Sequence, residues 1–243
     1  MKAILYQILY RPLFNILILI YSLIPDMGVS IIILTIIIRL ILYPSQGKAL
    51  KSQKRLRELQ PELDKVQNKY KNNKQKQSKA VMEFYQKNKV SPFASCLPTL
   101  IQFPIIIAMY QVFRTGLDTS KLTELYHFIH GPAAINPMFL GYFDLTKPDR
   151  FILPIIAGVA QFIQIKMMMP KIPESKKGIG VQQMISRQMI YLMPLMIVFF
   201  AASLPSALPL YWIITSLFGI FQQYVINKGG LIKKRISVRV RNK

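Results

Sequence analysis

The stretch Ile33-Leu34-Thr35-Ile36-Ile37-Ile38-Arg39-Leu40-Ile41-Leu42-Tyr43-Pro44 sets a permanently charged side chain inside an apolar run. Arginine keeps its proton in proteins, so it cannot escape burial by becoming neutral. At the centre of a membrane helix it costs about 2.5–3.5 kcal/mol on insertion scales. Thr35 and Arg39 are four apart and share one helix face, with Tyr43 a further turn along. Two readings follow. Arg39 snorkels past Pro44 to the interface, about 7 Å away at the helical rise, or it faces a water-filled cavity between helices.

The rest of the chain weighs between them. Of its 243 residues 52% are hydrophobic, with mean hydropathy +0.30 and net charge +22. The charges sit between long apolar blocks, which points to an integral membrane protein rather than a basic nucleic-acid-binding domain. Five blocks, 27–47, 96–114, 150–169, 188–204 and 207–227, suit the ~20 residues that cross a bilayer core. Pro104, Pro154 and Pro194 lie inside three of them, and membrane helices tolerate this when neighbours satisfy the freed carbonyls. Only Pro205-Ser206 separates the last two, a tight membrane hairpin.

Region 48–95 is polar and lysine-rich. Leu56, Leu59, Leu63, Val66 and Tyr70 recur at the spacing of a coiled-coil seam. After Asn72-Asn73 a second helix carries Val81, Phe84 and Tyr85. The prediction is a basic αα-hairpin, kinked at Pro61. Loop 115–149 is punctuated by Gly131-Pro132, Asn136-Pro137 and Lys147-Pro148, and reads as turns.

Basic residues orient the chain. Residues 48–89 hold thirteen basic against four acidic side chains, and loop 115–149 two against four. Loop 170–187 holds four against one, and tail 228–243 seven against none. That alternation places the N-terminus outside and the C-terminus in the cytoplasm. Arg11-Pro12 interrupts the first apolar segment, so 1–26 reads as an external interfacial amphipathic helix.

Little conventional chemistry is visible. Cys96 is the single cysteine, which excludes an intrachain disulfide. His127 and His130 are three apart without a third ligand. No nucleophile–base set and no phosphate-binding glycine loop is present. The expectation is a protein that is not an enzyme and needs no metal or cofactor. Hydrogen-bonding groups do recur inside the apolar blocks: Gln102, Gln161, Gln164, Trp212 and Thr215. No acidic residue lies there to pair with Arg39. An unpaired arginine among glutamines suits a hydrated, anion-attracting groove. A small anion channel or transporter binding through Arg39 is the alternative, although no acidic relay or repeated half supports coupled transport.

The ordered motifs carry a resemblance. They begin with Leu34-Thr35-Ile36-Ile37-Ile38-Arg39-Leu40 and a basic hairpin containing Gln60-Pro61-Glu62. Pro92-Phe93-Ala94-Ser95-Cys96-Leu97-Pro98-Thr99-Leu100-Ile101-Gln102-Phe103-Pro104 follows, then Phe139-Leu140-Gly141-Tyr142-Phe143-Asp144-Leu145 and Leu153-Pro154. They close with Met193-Pro194, Phe199-Phe200 and Leu204-Pro205-Ser206-Ala207-Leu208-Pro209-Leu210-Tyr211-Trp212. Over nearly its whole length the sequence resembles the YidC-type membrane protein insertases, relatives of the Oxa and Alb insertases. Ser95 and Ala207 stand where that family usually has glycine, and Pro209 is an extra proline.

The resemblance implies an all-α integral membrane protein of the minimal form. Five transmembrane helices would surround a hydrophilic groove, with the cytoplasmic hairpin and external helix attached. It implies insertion of nascent membrane proteins into a bacterial cell membrane without nucleotide hydrolysis. Arg39 would be the charge of the groove, with Thr35 one turn above, Gln102 lining it from the second span, and Trp212 flanking the exit to lipid. The implied partners are nascent membrane proteins, the ribosome (through tail and hairpin), the Sec translocon and anionic lipids.

Overall fold

The computed structural model of the chain describes residues 6–91, 97–116, 125–129, 131–132, 134–168 and 181–241. Cys96, His130, residues 117–124 of the external loop and residues 170–180 of the cytoplasmic loop lie outside the described residues. The architecture is helical. After a π-helical turn at Tyr6–Tyr10, α1 spans Arg11–Leu23 and α2 spans Met27–Lys69. Helix α3 is Lys74–Lys87, α4 is Leu97–Gly116, α5 is Ile152–Met168, α6 is Val181–Ala201 and α7 is Ala207–Arg241.

Each helix starts for a local reason. Pro12 opens α1, where its missing N–H is no loss. Asp26 caps α2 by accepting from the Val29 amide at 2.9 Å. Asn73 does the same for α3 from the Lys76 amide at 3.0 Å. Asp149 accepts from the amides of Phe151, Ile152 and Leu153 at the start of α5.

Two helices are longer than their apolar blocks. Helix α2 has 43 residues, about 65 Å at the helical rise, twice a ~30 Å bilayer core. The boundary expected between 47 and 48 is therefore no break in the backbone. The helix runs through Pro44 and Pro61, whose missing amides free only the carbonyls four residues earlier. Helix α7 likewise has 35 residues and continues past 227 into the basic tail. Helix α6 begins at Val181, inside the stretch read as the 170–187 loop. Polar sequence ends a membrane span without ending a helix, because lysine and glutamine are good helix formers.

Beside the helices the described residues hold one short strand pair. Loop 115–149 holds an antiparallel pair, β1 at Met138–Phe139 and β2 at Phe143–Asp144, in register Met138↔Asp144 and Phe139↔Phe143. Its turn takes positive φ at both Leu140 (51°) and Gly141 (75°), with the Tyr142 amide donating to the Phe139 carbonyl at 3.1 Å. That is the primed geometry that matches strand twist.

The main core joins α1, α2, α4 and the start of α7. Phe14, Leu17, Ile18 and Tyr21 form one stripe of α1, against Met27, Ile31, Leu34 and Ile38 of α2. Ile105, Met109, Val112 and Phe113 of α4 and Leu208 and Tyr211 of α7 complete it. Helix α5 packs between α7 and α6 over a smaller cluster of Leu153, Ala157 and Ile213. The outward face of α6 stays bare, with Tyr191, Leu195 and Phe199 each about two-thirds exposed or more. Helix α3 packs on α2 near Leu59 and Leu63 but buries no residue of its own.

Hydrogen bonds between distant segments tie the 125–149 region to α1, α2 and the start of α7. Asn15 Oδ1 accepts from the Tyr126 amide at 2.7 Å, and the Tyr21 hydroxyl accepts from the Asn136 amide at 2.8 Å. The Arg11 guanidinium lies 5.0 Å from the Tyr126 ring centroid. Ser206 donates its hydroxyl to the Lys147 carbonyl at 2.6 Å, and Asp26 Oδ2 accepts from the Leu140 amide at 3.1 Å. Leu145 is fully buried beneath this cover.

Candidate functional site

Arg39 lies twelve residues into α2, about 18 Å from that helix's N-terminal end. It is 6% exposed. Nη1 donates to Gln46 Oε1 at 3.1 Å, and Nη2 donates to Gln102 Oε1 at 2.7 Å. Gln102 in turn donates from Nε2 to the Tyr211 hydroxyl at 2.5 Å. Tyr211 is fully buried and meets Phe113 edge-on, with centroids 6.4 Å apart. One chain of polar contacts thus crosses from α2 through α4 to α7 inside an apolar core.

Both acceptors of the guanidinium are neutral amides. Arg39 makes no ion pair with any described carboxylate; the acidic partners Glu58 and Asp144 sit far along the chain on the hairpin and the external loop. A buried charge that is hydrogen-bonded but not neutralised keeps its field. In a low-dielectric surrounding that field reaches further than in water.

Of the four residues singled out from sequence, two meet. Arg39 and Gln102 are bonded directly. Thr35 is fully buried, but its hydroxyl donates to the Ile31 carbonyl of its own helix at 2.6 Å. Trp212 is half-buried at the junction of the two core clusters, beside Tyr211 in sequence and packed on both. Gln46 and Tyr211 belong to the site and were missed. The signal for Gln46 was its place seven residues after Arg39 on the same face.

The other intramembrane polar groups serve different contacts. Gln161 Oε1 accepts from the Ser216 hydroxyl at 2.9 Å, and Gln164 lies against Gly219, whose added Cβ would stand 2.1 Å from Nε2. Gln223 donates to the Met167 carbonyl at 2.9 Å, and Gln222 to the Tyr43 carbonyl at 3.0 Å. These bind α7 to α5 on one side and to α2 on the other. Among the described residues the buried oxygens Thr215 Oγ1, Gln222 Oε1 and Gln223 Oε1 have no partner.

On the external loop, the Lys147 ammonium lies 2.8 Å from Asp144 Oδ2, and Thr146 donates to Oδ1. The Lys147 hydrogen bond, followed by that of Thr146, holds the Asp144 carboxyl at about 2, well below its ordinary value. Lys147 is correspondingly raised. On α3, burial raises the Tyr85 hydroxyl.

Long apolar helices with a single buried guanidinium among amides define a helical membrane protein. Residues 19–234 match the family described as 60Kd inner membrane protein, and the chain belongs to that family. It is 36% identical to the membrane protein insertase YidC of Fusobacterium nucleatum, over 84% of this chain and 88% of that protein. It is 39% identical to YidC of Oceanobacillus iheyensis, over 85% of this chain and 77% of that one. Membrane protein insertase MisCA of Bacillus subtilis is 40% identical, over 85% and 72%.

Proposed function

We propose that this chain is a membrane protein insertase, which moves nascent transmembrane segments and short translocated tails from the cytoplasm into the bilayer. Arg39 carries the reading: a permanent charge buried in an apolar core and held by neutral amide oxygens rather than by a carboxylate. A substrate tail must cross with polar and acidic groups that are expensive in hydrocarbon. A hydrated groove lined by Arg39, Thr35 and Gln102 lets that tail travel part-way while solvated. A carboxylate displacing Gln102 Oε1 adds charge–charge attraction to a hydrogen bond whose donor is already ionised.

The substrate's apolar segment then leaves past Trp212 into lipid, and its partitioning drives the exchange without nucleotide hydrolysis. The spans in this reading are the apolar parts of α2, α4, α5, α6 and α7, with the N-terminus outside and the C-terminus in the cytoplasm. The N-terminal helix, tied to the external loop through Asn15 and Tyr21, lies at the outer interface. The cytoplasmic part of α2, with α3 and the basic end of α7, receives ribosomes and anionic headgroups. The Sec translocon is a further partner in this reading.

Insertion of substrates with acidic, neutral or basic tails into proteoliposomes tests the proposal. Arg39→Ala should impair acidic tails far more than neutral ones, and Arg39→Lys should retain most function because charge is what the groove supplies. Equal loss for all tails would make Arg39 structural. Saturable anion flux without insertion would favour a channel.

A further inference from the structure

We infer that Gln46 determines which tail charges the groove accepts, by holding Arg39 in place without neutralising it. The inference rests on the groove reading above and adds to it a specificity-determining residue.

Gln46 lies seven residues after Arg39, two turns and about 10 Å nearer the cytoplasmic end of α2, on almost the same face. A tail arriving from the cytoplasm therefore meets Gln46 before Arg39. Gln46 is itself buried, at 8% exposed, and its Oε1 accepts from Arg39 Nη1 at 3.1 Å. The guanidinium is thus drawn toward the cytoplasmic side, the side from which substrate comes. The face continues uncharged: Gln53, seven residues further, is also buried, and Ala49 lies between them. Arg39 is the one buried charge among the described residues.

Chemistry explains why an amide stands at position 46. Glutamine and glutamate have the same shape. A carboxylate there would lock Arg39 into a buried ion pair, which an incoming acidic tail would have to break and leave uncompensated. The amide oxygen satisfies the same N–H with no charge of its own, so a substrate carboxylate that takes its place meets a guanidinium that is not already neutralised. Position 46 then acts as a polarity setting on the groove: neutral keeps it anion-attracting, negative closes it to acidic tails, and positive sharpens the preference.

The readout is the ratio of acidic-tail to basic-tail insertion in proteoliposomes, which a purely structural defect would leave unchanged. Gln46→Glu should lower that ratio about tenfold, and Gln46→Lys should raise it, as expected for charge juxtaposition at a desolvated site. Arg39→Ala is run in parallel, and every variant is checked for a monodisperse, cooperatively unfolding protein. If Arg39→Ala lowers the ratio but a folded Gln46→Glu or Gln46→Lys leaves it at the parent value, Gln46 is only a tether and the inference fails alone. If Arg39→Ala leaves the ratio unchanged, the groove reading fails and takes this inference with it. Should one of the two charge variants not fold, the sign of the other's shift still decides.

Discussion

Arg39 Nη2 and Gln102 Oε1 stand 2.7 Å apart although 63 residues separate them in the chain. Because Gln102 also donates to Tyr211, a single glutamine closes the polar chain between three helices.

Gln102→Leu should therefore be costly. It strands a charged donor on Arg39 and removes the Tyr211 partner, at about 1–3 kcal/mol for each buried group left unsatisfied. Thermal unfolding in lipid nanodiscs should show a clearly lowered midpoint. Gln102→Glu should unfold near the parent temperature yet lose acidic-tail insertion, since the introduced carboxylate neutralises Arg39. An unchanged midpoint for the leucine variant would mean that water replaces Gln102 readily.

Gly28 and Gly47 lie on the same helix and should respond in opposite senses to alanine. A Cβ at Gly28 would stand 2.0–2.7 Å from the ring and Cβ of Phe139, so the β-hairpin must move off α2. Overpacking of this kind costs about 1–3 kcal/mol. A Cβ at Gly47 meets only Gln222 Nε2, at 3.7 Å. There alanine should stabilise the helix by roughly 0.5–1 kcal/mol. Unfolding midpoints of the two variants decide the matter.

The Asp144–Lys147 pair makes the external loop acid-sensitive. The folded carboxyl titrates at about 2, below its ordinary 3.8. Its contribution is thus complete above the ordinary value and is lost as pH falls toward 2. Lys147 is fully exposed, so salt should shrink the effect. Asp144→Asn should flatten the stability profile of the loop between pH 4 and 2, roughly the window the two values bound. Limited proteolysis of the loop across that range measures it; the same acid sensitivity in the variant would assign it elsewhere.

Backbone protection should fall along α2 rather than drop at a hinge. Ile31, Leu34 and Ile38 are buried in the main core, and Leu59 and Leu63 are buried in the part of α2 beyond it. Helix α3 buries nothing fully. Hydrogen exchange in nanodiscs should therefore show slow amides to about Gln53, faster ones toward Lys69, and the fastest in Lys74–Lys87. Equal protection in α3 and α4 would mean that the hairpin is docked rigidly.

Much of this was legible in the sequence because its causes are local. Apolar blocks of bilayer length announce membrane helices, and the seam from Leu56 to Tyr70 announces a coiled pair. The continuity of α2 and α7 was less visible. Hydropathy falls at 47 and at 227, and that fall marks where lipid ends, not where hydrogen bonding within a helix ends. The strand pair at Met138–Asp144 was hidden as well, because Leu140 is an unusual residue to carry a positive φ.

By itself the sequence determined that Arg39 is a charge without an acid in its own apolar blocks, and that Gln102 is a polar group in another. Which side chains satisfy that charge was decided only by the tertiary structure. Helical periodicity makes Gln46 and Thr35 equally good neighbours of Arg39. Thr35 spends its hydroxyl on the Ile31 carbonyl, whereas Gln46 reaches the guanidinium. Tyr211 enters because packing lays the start of α7 against α4, where its ring meets Phe113 edge-on and its hydroxyl accepts from Gln102. A hydrogen bond between residues 63 or 109 apart has no local signature, because its geometry is set by how whole helices pack and by what the chain between them allows.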